Sequence, residues 1–133
     1  MIDVTLIEAY LERHRWGKSE NLVSVLETFK RWCPEADIAL IFGHPGIAVD
    51  GAPVCCCRLK KGNVFLTFFR RDILEVYFKE LAAYAPSGSS LTVQDVTKFA
   101  KSEAAQRMVR AMVSAVKVDA QFQRQIAEND WIF

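Results

Sequence analysis

The chain of 133 residues suits one domain, since folding at this size buries roughly two thirds of the surface the unfolded chain exposes. At 51% hydrophobic and 25% charged residues it is globular rather than disordered. A net charge of +1 creates no overall field toward nucleic acid or an anionic membrane, and no stretch approaches the roughly 18 consecutive apolar residues of a spanning helix. Met1-Ile2-Asp3-Val4 lacks the basic start and apolar run of a signal peptide, so a cytoplasmic setting is expected. Cysteines in no disulfide-like spacing should remain thiols there.

Ile7, Tyr10, Leu11 and His14 recur at helical spacing and predict a helix over 3–16, ended by Gly17. Ser19 can cap a second helix with Leu22, Val25, Leu26, Phe29 and Cys33 as its apolar stripe, stopped by Pro34. Strands are expected at about 37–43, 46–49, 53–59 and 63–70, with Asp50-Gly51 and Gly62-Asn63 as turns. Short connections make this a four-stranded antiparallel meander. Asp72 with Glu75 reads as a capping box opening a helix whose apolar face runs from Ile73 to Leu81. Residues 86–90 read as a loop, and Thr92 as the start of a short helical turn. From Ser102 onward, Ala105, Met108, Val109, Met112 and Val116 form a helix face. The segment 119–133 is less regular and ends in Trp131-Ile132-Phe133. The expected fold is thus a single α+β domain over 1–133, two helices before the sheet and two to four after it.

Counting outward from the Asp50-Gly51 turn places Val49 opposite Ala52, Ile47 opposite Val54, Gly46 opposite Cys55 and His44 opposite Cys57. One face then collects Ile38, Leu40, Phe42, His44, Ala48, Cys55, Cys57, Leu59, Val64, Leu66 and Phe68, and should lie under the helices. The other carries Ala39, Ile41, Ile47, Val49, Val54, Cys56, Arg58, Phe65, Thr67 and Phe69. It is apolar enough to need a cover: the C-terminal helices, a second subunit or a ligand. A bulge at Pro45-Gly46 would break this register.

Cys55-Cys56-Cys57 is the oddest feature of the sequence. Cys55 and Cys57 point the same way along a strand, with parallel Cβ vectors that disfavour a disulfide. On the expected face, His44, Cys55 and Cys57 form a candidate metal set, and thiolates with an imidazole suit zinc or iron. The competing reading is packing, because free cysteine behaves as a small buried hydrophobe. A reactive thiol would need an electropositive neighbour such as Arg58 or His44. Glu8 and Glu12 share one helix face, as solvated carboxylates commonly do. The basic clusters Arg13-His14-Arg15 and Arg58-Leu59-Lys60-Lys61 are ordinary for helix surfaces and hairpin ends, and the balanced charge argues against nucleic acid as a partner. P-loop, GxGxxG, HExxH and GxSxG motifs are all absent, which argues against the common nucleotide-dependent and hydrolytic chemistries.

Pro34-Glu35-Ala36-Asp37, Phe42-Gly43-His44-Pro45 and Asp50-Gly51-Ala52-Pro53 resemble the YdhG-like family over roughly residues 5–70. The chain departs from that pattern at Ile38, where the family often has an acid, and at Ile41, where it often has a lysine. The resemblance implies the same α+β fold, in a largely uncharacterised group with some members described as frataxin-like iron chaperones. Phe42-Gly43-His44-Pro45-Gly46 with Asp50-Gly51 is also similar to the TfoX N-terminal domain, which is associated with regulation and protein partners. Function is therefore expected in one of two classes. The first is a non-enzymatic domain binding a small ligand or metal ion at the sheet. The second is an interaction module or homo-oligomer that buries the second sheet face, with an enzyme ranked third.

Overall fold

The computed structural model describes residues 19–128. The helix expected over 3–16, Arg13-His14-Arg15, the Glu8/Glu12 pair and the closing Trp131-Ile132-Phe133 lie outside the described residues.

Helix α1 (Ser19–Trp32) begins where the sequence placed its cap. Leu22, Val25, Leu26 and Phe29 recur on one face and are all buried. Glu20 in the first turn and Lys30 and Arg31 in the last complement the helix dipole. At the far end the Cys33 amide donates to the Phe29 carbonyl (2.9 Å), and the Lys30 ammonium donates to the Pro34 (2.8 Å) and Ala36 carbonyls. Pro34 lacks the N–H needed to continue the helix, so the chain turns into the sheet.

The sheet has five strands in the order β1 (Asp37–Ile41), β2 (His44–Val49), β3 (Ala52–Lys60), β4 (Asn63–Phe68) and β5 (Ser90–Val93), every neighbouring pair antiparallel. The meander is as expected, with one strand more. Thr92, read as a helical turn, instead pairs with Phe65, while Leu91 and Val93 alternate into the core. A strand this short follows from the open edge of β4 rather than from any periodicity of its own.

Phe42-Gly43, Asp50-Gly51 and Lys61-Gly62 each place two successive residues at positive φ, the pattern that matches a two-residue turn to the twist of the strands. Phe42-Gly43 is therefore a turn rather than a strand end, and the β3–β4 hairpin turns at Lys61-Gly62, one residue before the expected Gly62-Asn63. Pro45 falls within β2 opposite Leu40, and β2 pairs with β3 only from Gly46 onward. The missing N–H of Pro45 thus interrupts no bond to β3.

The register departs from the simple count. Val49 faces Ala52 and Ala48 faces Pro53, but Ile47 then faces Cys55 and Gly46 faces Cys56. Val54 is the extra residue of a bulge, so Val54 and Cys55 both reach the core. Ile47, Val49 and Val54 consequently lie on the helix-covered face with Cys55, Cys57, Leu59, Val64, Leu66 and Phe68. By the same alternation His44 and Ala48, expected there, belong to the opposite face.

Helix α2 (Arg71–Val76) starts from Arg70, with no side-chain cap. The expected capping box does not form, because the Asp72 carboxylate accepts two bonds from the Arg70 guanidinium (3.0 and 2.8 Å). The helix also ends earlier than Leu81, giving way to turns and a 3-10 segment at Ala82–Tyr84. Asp95 caps α3 (Val96–Ala100) by accepting from the Lys98 amide at 3.1 Å. Helix α4 (Glu103–Glu128) runs continuously into the segment from 119 that the sequence showed as less regular. It buries Ala105, Met108, Val109, Met112, Val113 and Val116, then exposes Val118 and Phe122. Phe99 ties the helical layer together, its ring 6.1 Å from Phe29, 5.5 Å from Trp32 and 5.4 Å from Tyr84.

The sheet is strongly curled. In a flat sheet the tip residue Phe42 and Phe69, just beyond β4, would stand about 20 Å apart by strand rise and spacing. Their rings lie 6.0 Å apart. Gly46 sits at the bend: a Cβ there would lie 2.1 Å from the Cys55 carbonyl oxygen and 2.9 Å from the Cys56 Cα, an approach that requires glycine.

Candidate functional site

The cysteine cluster lies in the core. Cys55 and Cys57 are side by side on the helix-covered face and fully buried. The Cys55 thiol donates to the Cys56 carbonyl across 3.6 Å. Burial pushes the Cys55 thiol well above its usual value, and its contact with Cys57 adds to the effect. Burial likewise raises Cys56, with Cys57 adding and Arg58 opposing, and raises Cys33 to about 11. Such thiols hold their protons at neutral pH, which is the opposite of an activated nucleophile.

His44 does not join them. It pairs with Ile41 at the far end of the first hairpin, three residues along β2 from the core-facing Ile47, and so on the opposite face of the sheet. Among the described residues no group of three or more His, Cys, Asp or Glu side chains is placed to hold an ion.

The outer face divides into two halves. Toward β1 it is small and apolar, with Ile41, Gly46, Ala48 and Cys56 buried within the curl. Toward β5 it carries Arg58 and Lys60 from β3, Asn63 and Phe65 from β4, and Thr92 from β5. The register shift explains why this face is less apolar than expected: Ile47, Val49 and Val54 have left it.

Phe65 is the centre of the second half. Arg58 is its direct cross-strand partner and Lys60 its diagonal one. The Arg58 guanidinium carbon lies over the ring at 5.0 Å from its centroid, and the Lys60 nitrogen at 5.5 Å. Lys61, in the adjoining turn, joins Lys60, Asn63, Phe65 and Thr92 in lining an open pocket of about 220 Å³. The Asn21 amide donates to the Gly62 carbonyl at 3.4 Å and ties this turn to α1. Among the described residues no carboxylate lines the pocket, and Arg58, Lys60 and Lys61 take part in no ion pair. The pocket thus offers cations, an amide, a hydroxyl and an aromatic surface, a set that attracts and orients an anion.

A second feature is the exposure of large apolar side chains. Leu40, Phe42 and Phe69 are 41%, 83% and 38% exposed. Phe69 also borders a groove of about 330 Å³ between Ala52-Pro53 and the Val116–Gln123 stretch of α4. Arg70 spans its mouth, pairing with Asp119 and Asp72 at 2.8 Å each.

The basic run 58–61 was visible in the sequence, but its relation to Phe65 was not. Placing the turn at Lys61-Gly62 brings Arg58 opposite Phe65 by counting alone, so misplacing that turn by one residue concealed the pair. No protein-family model, curated protein or solved structure matches this chain.

Proposed function

We propose that this chain is a non-enzymatic binding domain that takes an anionic small ligand on the outer face of its sheet, between the β3–β4 turn and β5. The observation that carries this reading is Phe65 beneath Arg58 and Lys60, beside an open pocket lined by Lys61, Asn63 and Thr92 and, among the described residues, by no carboxylate. Among the described residues the three cations have no anionic partner, and like charges gathered this way repel one another, which an anion relieves. The ring and the tie to α1 hold the cations in place before any ligand arrives, which reduces the ordering cost of binding.

Calorimetric titration with inorganic pyrophosphate at low and moderate ionic strength tests the reading. Binding should weaken as salt rises and should be lost in the Lys60→Ala/Lys61→Ala double variant. Absence of binding at low salt, or unchanged binding in the double variant, would sink it.

A second reading has its own support. The exposed rings of Phe42 and Phe69, 6.0 Å apart, suit association with another copy of the chain. Native mass spectrometry at micromolar concentration decides it: a dimer lost in Phe42→Ser supports self-association, and a monomer in both proteins removes it. We further propose membership of the YdhG-like group on the segment from Pro34 to Pro53, a placement in keeping with binding rather than catalysis. Zinc or iron at His44, Cys55 and Cys57 would require the outer-face imidazole and the buried thiols to meet, so that proposal is set aside.

A further inference from the structure

We infer that the anion taken at this pocket is a nucleotide unit, with its phosphate held by Lys60 and Lys61 and its base laid on the Arg58–Phe65 platform. The inference rests on the anion-binding reading and adds the chemistry of the ligand's other half.

A bare inorganic anion would use the ammonium and guanidinium groups and leave the ring unused. Here the aromatic ring stands at the centre and the cations around it. Arg58 differs from the lysines in carrying a planar guanidinium, which lies 5.0 Å from the Phe65 centroid and can itself stack with a base. Bases stack on aromatic rings and on guanidinium planes alike, which makes such a pair a stacking platform. Lys60 and Lys61 lie toward the turn, on the side of the platform where a phosphate attached to the same nucleotide would sit. Asn63 presents a side-chain amide and Thr92 a hydroxyl, each able to donate and to accept toward a sugar or a base edge.

The pocket's size sets an upper limit. At about 220 Å³ it is smaller than the usual sites for drug-sized ligands, and too small to enclose a dinucleotide cofactor. One phosphate, its sugar and a stacked base can lie across it because it is open. Along β4 from Phe65, Thr67 continues the outward alternation, and Phe69 follows just beyond the end of the strand. Phe69 lies about 13 Å from Phe65 by strand rise, within reach of a second base on the same strand. The shared chemistry is therefore a phosphate joined to a planar base, whether it comes as a free mononucleotide or as a unit of single-stranded nucleic acid.

The test compares ribose 5-phosphate, adenosine monophosphate and a single-stranded oligonucleotide of about ten nucleotides, by calorimetry at low salt. The first two share the phosphate and differ in the base. Adenosine monophosphate should bind at least about fivefold more tightly than ribose 5-phosphate, and Phe65→Leu should abolish that difference while leaving ribose 5-phosphate binding in place. Retained ribose 5-phosphate binding also shows that the variant is folded. Arg58→Gln, at an exposed position, should reduce the same preference. An oligonucleotide that binds more tightly per molecule than the mononucleotide, with loss of that gain in Phe69→Leu, identifies a strand as the source. Equal or weaker oligonucleotide binding identifies the free nucleotide. Equal affinity for ribose 5-phosphate and adenosine monophosphate overturns the inference but leaves the anion reading standing. If none of the three probes binds, and pyrophosphate does not either, both fall together.

Discussion

The two faces of the sheet are made by the same strands yet hold their residues in opposite ways. On the inner face, Cys55, Cys57, Leu66 and Phe68 are sealed beneath α1 and α4, and even chemically versatile thiols are reduced to filling space. On the outer face, Arg58, Lys60 and Phe65 meet solvent, and common residues gain a distinctive arrangement. The difference teaches that residue identity and residue role separate at the sheet: environment decides which chemistry remains available.

The largest effect is expected at the bend, where the outer-face residue Gly46 brings β2 against β3. Gly46→Ala should destabilise the fold by more than about 3 kcal/mol, because its Cβ would meet backbone atoms that cannot rotate away. Urea unfolding would measure this, and a loss under about 1 kcal/mol would show that β2 and β3 do not approach so closely.

Next in size, the inner face can be set against the outer one. Cys57→Ser buries a hydroxyl where a thiol packed and should cost about 1–3 kcal/mol. Arg58→Ala, one residue away but facing solvent, should cost under about 1 kcal/mol. Equal losses in the two variants would erase the distinction between the faces.

Alkaline pH probes the inner face without mutation. Cys33 keeps its proton in the folded chain to about 11, against 9.0 when unfolded, because burial disfavours the thiolate. Between those values the unfolded state binds fewer protons than the folded state, so stability falls as pH rises. Cys55 and Cys56, also raised by burial, add with the same sign. Melting temperatures flat to pH 9 and declining above it are expected, and the decline should shrink in Cys33→Ala.

The smallest effect concerns the tip of the first hairpin. Phe42 holds φ at +53° with its ring 83% exposed, so it pays for a left-handed backbone with little burial. Phe42→Asn should stabilise the monomer by about 0.5–1 kcal/mol, since asparagine tolerates that conformation better. A loss of stability instead would mean that its contact with Phe69 contributes more than the strained backbone costs.

What could be read from the sequence depended on how local each signal was. The stripe of α1 and the Asp50-Gly51 turn were legible because a few neighbouring residues determine them. The bulge at Val54 was not, since an extra residue in β3 becomes apparent only against its partner strand. That one residue moved His44 away from Cys55 and Cys57 and moved Ile47, Val49 and Val54 into the core. β5 escaped notice because four residues carry too little periodicity to declare a strand. For the site, the cysteine run drew attention by its rarity, whereas Arg58 and Phe65 needed a correct register before their proximity had meaning.

The meander also bears on how the chain assembles during synthesis. Strands β2, β3 and β4 each pair with the one made just before, across a turn of two residues. Closing such short loops sacrifices little chain entropy, and individual hairpins form in about 1–10 μs, far faster than a ribosome adds residues. Only β5 must wait, because the stretch from Phe69 to Ser89 separates it from β4. The emerging chain can therefore zip its sheet in order, leaving the β4 edge open until Ser90–Val93 arrives and α4 follows to close the core.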